Sequence, residues 1–173
     1  MARGPTGGAG PGPVAPSAVP PRLVAVPVNP DLQGRVLPPT PPYLVGREKV
    51  REFARATGST SPLSLDPEAA RAAGHADVVA PPTFAIVVQE ATLAQLLAEP
   101  DAGIDFSLVV HGDQRFSYTR PIVAGDELTA TLTVTSVKTL GGNAMVTAAS
   151  DVVDQAGEHV VTATSTLVVR GDS

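Results

Sequence analysis

One segment of this chain has almost no polar side to turn outward. Over residues 84–98, Phe84, Ile86, Val87, Val88, Ala91, Leu93, Ala94, Leu96 and Leu97 cover most of the circumference of a helix. A helix apolar nearly all round has to be surrounded. What could surround it follows at once, because after residue 105 the hydrophobic period changes from 3.6 to 2. Leu128, Ala130, Leu132 and Val134 face one way and Thr129, Thr131, Thr133 and Thr135 the other, while Val161, Ala163, Ser165, Leu167 and Val169 share one face of a later run. Gly141-Gly142 and residues 154–157 are turn signals at hairpin spacing, and residues 124–126 mark a further turn. Four long antiparallel strands are predicted, at 106–120, 127–139, 143–154 and 158–170. The fold class is α+β, a curled antiparallel sheet wrapped round one central helix. Its edge strands would aggregate unless paired, so an obligate dimer joined edge to edge is expected.

Upstream, residues 38–46 are a stiff, proline-rich extended approach with a short strand at 43–45. A helix follows in which Val50, Phe53, Ala54 and Thr57 form one buried stripe, stopped by Gly58. Asp66-Pro67-Glu68 has the form of a helix start, with Asp as cap, Pro in first position and Glu near the positive end of the dipole. That second helix ends at Gly74. Residues 78–80 are extended, Pro81 and Pro82 hold off the central helix until Thr83, and Thr83 is its predicted cap. Residues 1–30 are crowded with Gly, Pro and Ala and read as a disordered tail, leaving one folded domain over 31–170.

Composition removes several functions. There is no cysteine, so disulfides, thiolate metal sites and cysteine nucleophiles are out, which fits a cytoplasmic location. Net charge is −5 with no basic run, which disfavours nucleic acid. No apolar run is long enough to span a membrane. The three histidines, His75, His111 and His159, stand at no metal-ligand spacing with an acid, so neither a metal nor another cofactor is expected.

Three blocks in order, "PPTPPYLVGREKVREFARATG", "DPEAARAAGHADVVAPPTF" and "HGDQRFSYTRPIVAGDEL", resemble the MaoC-like, FAS1-type dehydratase N-terminal family (UPF0336-like), over residues 31–170. The resemblance implies a hotdog fold pairing into a double hotdog. It also implies action on acyl thioesters carried by ACP or CoA, dehydrating (3R)-hydroxyacyl chains or hydrating 2-enoyl chains in fatty acid biosynthesis. Active hydratases of this superfamily carry G-D-x-N-P-[LIV]-H after the first helix. Here Gly58, Pro62 and Leu63 match, but Ser59 stands at the Asp, Ser61 at the Asn and Ser64 at the His. Removing an α-proton and protonating a leaving hydroxide need groups that titrate near neutrality. Serines without a base cannot do this. The resemblance therefore implies a non-catalytic, acyl-chain-binding subunit whose MaoC-like partner supplies the Asp and His, as a heterodimer or with a homodimer beside it.

Other residues are candidates with ordinary alternatives. His111, with Gly112 beside it, is the remaining candidate for chemistry; the alternative is a structural strand histidine. Strict alternation puts it opposite the Val110–Phe116–Tyr118 face, unless a bulge at Gly112 moves it. Pro82, Thr83 and Phe84 open the central helix, whose free N–H groups suit a thioester oxygen, the alternative being simple capping. Asp113 and Gln114 could orient a ligand or be solvated. His75 and His159 are expected to be exposed, Asp126 to shape a turn, and Arg120 to meet an anionic pantetheine or carrier surface. Two rival readings stand beside the first: a self-sufficient homodimeric dehydratase using His111, and a binding module that holds an acyl thioester and catalyses nothing.

Overall fold

The computed structural model describes residues 28–171. The expected tail lies outside them as far as residue 27, but residues 28–30 belong to the fold. Asn29 N–H donates to Ala102 O (3.0 Å), the Asn29 side chain caps a 3-10 turn at Pro30–Leu32, and Leu32 is fully buried. A tail assignment from composition misses this because one asparagine, through its backbone and its side chain, suffices to tie residues 28–30 to the domain.

The sheet has five antiparallel strands in the order β1-β3-β4-β5-β2. They are β1 Tyr43–Leu44, β2 Val109–Tyr118, β3 Glu127–Leu140, β4 Asn143–Val153 and β5 His159–Val169. The predicted strands match these within a few residues, with one difference. The segment Phe106–Leu108 is a 3-10 turn, because the Asp105 carboxylate accepts from Ser107 N–H (2.9 Å) and holds the chain out of the ladder. The alternation holds elsewhere: Leu128, Ala130, Leu132 and Val134 on β3, and Val161, Ala163, Ser165, Leu167 and Val169 on β5, are all buried.

The central helix, α4 at Ala85–Ala98, lies across β3, β4 and β5. Ala85, Val88, Leu93 and Leu96 face the sheet. Two polar residues go in with them. Gln89, fully buried, donates from Nε2 to Ala163 O on β5 (2.9 Å). Thr92 Oγ1 donates to Gln89 O and shares a hydrogen bond with Ser150 Oγ on β4, each 2.7 Å. The helix is not enclosed on every side: Glu90, Ala91, Ala94 and Ala98 are exposed.

Thr83 does not cap α4. It is exposed, and Phe84 occupies the cap position with helical φ and ψ and no side-chain bond. The first turn is instead tightened by i to i+3 bonds, Phe84 N–H to Pro81 O (2.9 Å) and Val87 N–H to Phe84 O (2.9 Å). Phe84 is fully buried and meets Phe53 of α1 (Arg47–Ala56) edge to face at 5.3 Å. This contact ties the start of α4 to the helix that precedes the serine-rich loop.

The β3 edge is closed by the chain's own extended approach. Gly34 N–H donates to Val134 O, Leu37 N–H to Leu132 O and Thr40 N–H to Ala130 O, at 2.8 to 2.9 Å, and Val134 N–H donates back to Arg35 O. Arg35 anchors this cover through Glu99 and Asp101 just beyond α4.

Phe84→Ala should remove a large buried side chain at the junction of α1 and α4 and destabilise the protein by about 3–5 kcal/mol. Denaturant titration followed by far-UV circular dichroism reads this directly; a loss below about 1 kcal/mol would mean the junction collapses freely.

Candidate functional site

The serine-rich segment is not a plain loop. After α1, Gly58 turns the chain at φ +70°, a short helix α2 follows at Pro62–Leu65, and α3 runs over Pro67–Ala72. Asp66 caps α3 as predicted, accepting from Glu68 N–H (2.9 Å). Ser64 is buried and its hydroxyl donates to Val79 O (2.7 Å), while Val79 N–H donates to Leu63 O (2.8 Å). These two bonds lay α2 against the extended residues that lead to α4. Arg51 Nε supports the same turn from α1 through Leu65 O (2.9 Å).

Asp77 holds the far end of this segment. It accepts from Arg47 Nε (2.9 Å) and Val78 N–H (2.7 Å), with Arg71 close by. The hydrogen-bonded Arg47 guanidinium, helped by the Val78 N–H, holds the Asp77 carboxyl at about 2, well below the usual carboxylate range.

These elements enclose a cavity of about 410 Å³. Ser59, Ser61, Leu63 and Ser64 form one side, residues 79–82 and Ile122 another, and Tyr118 of β2 closes it with Pro121. Tyr118 Oη donates to Pro82 O (2.8 Å). Burial pushes the phenol's pKa up, and the Ala85 backbone N–H offsets part of that rise. The three serines at the motif positions all face this cavity, as does Pro82. No carboxylate or imidazole lines it.

A second cavity, also about 410 Å³ and more open, lies along β2 and is lined by Ile86, His111, Gly112, Asp113 and Gln114. Here the simple alternation fails. The register with β5 slips between His111 and Asp113, so Gly112 is the extra residue of a bulge. A Cβ on Gly112 would stand 3.0 Å from Val168 Cγ2 and 3.3 Å from Thr166 O, so a side chain here would require those neighbours to give way. The bulge exchanges the faces below it. Val109 packs on the core, Val110 is 43% exposed, and His111 joins Gln114 and Ile86 in lining the cavity. Gln114 is held at both ends of its amide: Nε2 donates to Gln89 Oε1 (2.9 Å), and Oε1 accepts from Ser165 Oγ.

The remaining candidates lie elsewhere. Phe84 is buried, so only its backbone can meet a ligand. Arg120 is not free for an anion; Asp126 and Asp154 both accept from its guanidinium, which raises its pKa, chiefly through Asp126. Asp126 does shape its turn, accepting from Val123 N–H (2.9 Å). His159 is partly buried rather than exposed, with its ring nitrogens on Thr119 and Thr162. His75 is likewise partly buried and lines neither cavity. Among the described residues no cluster of three His, Asp or Glu side chains could hold a metal, and no helix is long and apolar enough to cross a membrane. Sequence reading missed Tyr118, Ile86, Gln89 and Ser165 as site residues. Only the inward parity of Tyr118 and the rarity of a glutamine inside an apolar helix hinted at them.

The family described as "FAS1-like, dehydratase domain region" matches residues 32–163. The chain belongs to it. A UPF0336 protein of Clavibacter michiganensis subsp. michiganensis is 77% identical over 147 residues, 85% of this chain and 99% of that one. A second, from Leifsonia xyli subsp. xyli, is 75% identical over the same shares of the two chains. Among solved structures, a chain of the HadBC (3R-hydroxyacyl-ACP dehydratase) complex of Mycobacterium tuberculosis superposes with a TM-score of 0.73 at 34% identity, covering 80% of this chain and 97% of that one. A MaoC-like dehydratase superposes at 0.71 and 35% identity, covering 80% of this chain and 42% of that longer one. The fold of this FAS1-like dehydratase family member is the hotdog: a curled antiparallel sheet on a central helix.

The Asp77 clamp makes a pH prediction. Its folded pKa lies below its unfolded value, so its contribution is complete above about pH 4 and is lost as pH falls through about 2. The stability gap between the wild type and Asp77→Asn should be widest at neutral pH and close between about pH 4 and 2. Thermal melts across that range check it; a gap independent of pH would show that the clamp does not depend on the charge.

Proposed function

We propose that this chain is a subunit of a (3R)-hydroxyacyl-thioester dehydratase or enoyl hydratase, working on ACP- or CoA-linked chains, and that it binds the acyl chain while a MaoC-like partner supplies the acid–base pair. The observation that carries this is the serine-lined cavity. Its apolar walls, Leu63, Val79, Pro81, Pro82 and Ile122, suit an acyl chain. Its polar groups, Ser59, Ser61 and Ser64, have no base beside them, and the Ser64 hydroxyl is engaged by Val79 O. Dehydration moves a proton from the α-carbon and gives one to the departing hydroxyl, so a cavity whose titrating side chain is a phenol with a raised pKa, and which has no carboxylate or imidazole, holds substrate but does not turn it over. The likeness to a chain of a complex described as a 3R-hydroxyacyl-ACP dehydratase supports the substrate class. In this reading Pro82, Thr83 and Phe84 contribute backbone at the start of α4, and Gln114 contributes its fixed amide from the second cavity.

The second cavity favours one alternative. The Gly112 bulge turns His111 toward Gln114 and Ile86, so a homodimer could use His111 as its base.

Co-expression with a MaoC-like chain bearing an intact G-D-x-N-P-x-H should give crotonyl-thioester hydration that neither chain shows alone. Activity of this chain alone, abolished by His111→Ala, would favour the alternative. Restoring the titrating groups by Ser59→Asp with Ser64→His should raise the isolated chain's hydration rate by roughly 10²-fold. No gain in a folded variant would mean that the cavity does not place the reacting carbon beside the motif.

A further inference from the structure

The orientation of the Gln114 amide in the second cavity is dictated from the far side of the sheet. A backbone carbonyl has no proton to give, so the group that Gln89 turns to Ala163 O has to be its amide nitrogen (2.9 Å). Gln89 Oε1 then points the other way, where it can only accept. Gln114 must therefore meet it with nitrogen (2.9 Å), which leaves Gln114 Oε1 for Ser165, whose hydroxyl donates. Gln89 and Ser165 are both fully buried, so no solvent stands in for either partner. Turning the Gln114 amide over would set oxygen against oxygen at Gln89. Turning Gln89 as well would only move that clash to Ala163 O. The pair of amides has one polarity.

An amide nitrogen carries two hydrogens. One of those on Gln114 goes to Gln89, and among the described residues nothing accepts the other. Gln114 is partly buried and lines the second cavity beside Ile86, His111 and Gly112. The cavity is thus given a donor that cannot turn into an acceptor. Its place on the strand gives it reach. Gln114 lies four residues from Tyr118 on the same inner face of β2, about 13 Å along the strand. A ligand whose apolar chain fills the first cavity, and whose head follows β2 past Phe116, brings its polar groups to Gln114.

We propose that the spare amide N–H of Gln114 donates to a carbonyl oxygen in the head of the acyl thioester, and that Gln89 and Ser165 are positioning residues that keep this donor facing the cavity. The carbonyl is that of the thioester itself or of an amide in the pantetheine arm. This contact presupposes that the chain binds acyl thioesters, as proposed above.

Calorimetric titration of the full chain with three saturated probes, none of which can be hydrated or dehydrated, tests it. Octanoyl-CoA carries the thioester and amide carbonyls, S-octyl-CoA keeps only those of the amides, and 1-octanol has none. Gln114→Leu binds octanoyl-CoA on the order of tenfold more weakly than the wild type, through the loss of one hydrogen bond, and binds octanol equally well. An equal loss with S-octyl-CoA assigns the contact to the pantetheine amides, and no loss with it assigns the contact to the thioester. Ser165→Ala keeps the donor but releases its orientation, so it loses less, and again only with probes that carry the contacted carbonyl. Wild-type affinity for octanoyl-CoA in either variant would overturn the proposal. So would a matching loss with octanol, which reports a distorted cavity and not a missing donor. A wild-type chain that binds none of the probes would instead overturn the acyl-binding reading, and this contact with it.

Discussion

Gln89 and Thr92 determine how the central helix sits. A helix apolar nearly all round has little reason to prefer one rotation over another against an apolar sheet, since many rotations bury similar area. A buried amide and a buried hydroxyl remove that freedom. Gln89 reaches Ala163 O and Thr92 reaches Ser150 Oγ, and any other rotation would leave these groups dry and unpaired. The rest follows from that fixed rotation. It brings Phe84 onto Phe53, sets residues 81–82 against the serine segment, and points Ile86 at the bulge of β2. The same glutamine then holds Gln114, so one side chain sets both the helix and a wall of the second cavity.

The two cavities divide the chemistry. The first is built on the serine segment, with Gly58 as its turn and Pro62 opening α2, and its polar side chains are all hydroxyls. The second holds a histidine and an acid but opens along an edge strand, with a smaller apolar wall. Tyr118 belongs to the first and Gln114 to the second, on the same inner face of β2, with Phe116 between them and in contact with Tyr118. A ligand long enough to follow that face would touch both.

Much of this architecture is written in local pattern. The strands on β3 and β5 are legible because each repeats the same two-residue period over a long run, and Asp66 is legible as a cap because capping is a local bond. Three features were not legible because they are tertiary. Gly112 marks where a bulge can form, but only the slip in register against β5 shows that it does and that His111 leaves the face that strict alternation assigns it. Thr83 has the right chemistry for a cap, but the Pro81-Pro82 geometry starts the helix with a tighter turn. Arg120 looked available for an anion because its two acids are six and thirty-four positions away. Of the site, the serine-lined side could be read directly from Ser59, Ser61 and Ser64, whereas the walls opposite, Tyr118 above all, come from a strand far along the chain.

The proline-rich approach that closes the β3 edge has a consequence for assembly. A sheet with two open edges presents donor and acceptor surfaces at both ends, and each added copy exposes another, so growth has no natural stop. Here residues 34–40 occupy one edge from within the chain. Addition at that edge is thereby blocked, and among the described residues β2 is left as the one long strand with an open side. A segment that composition marks as little more than a stiff connector acts as a chain terminator for β-polymerisation, and it favours closed pairs over fibres.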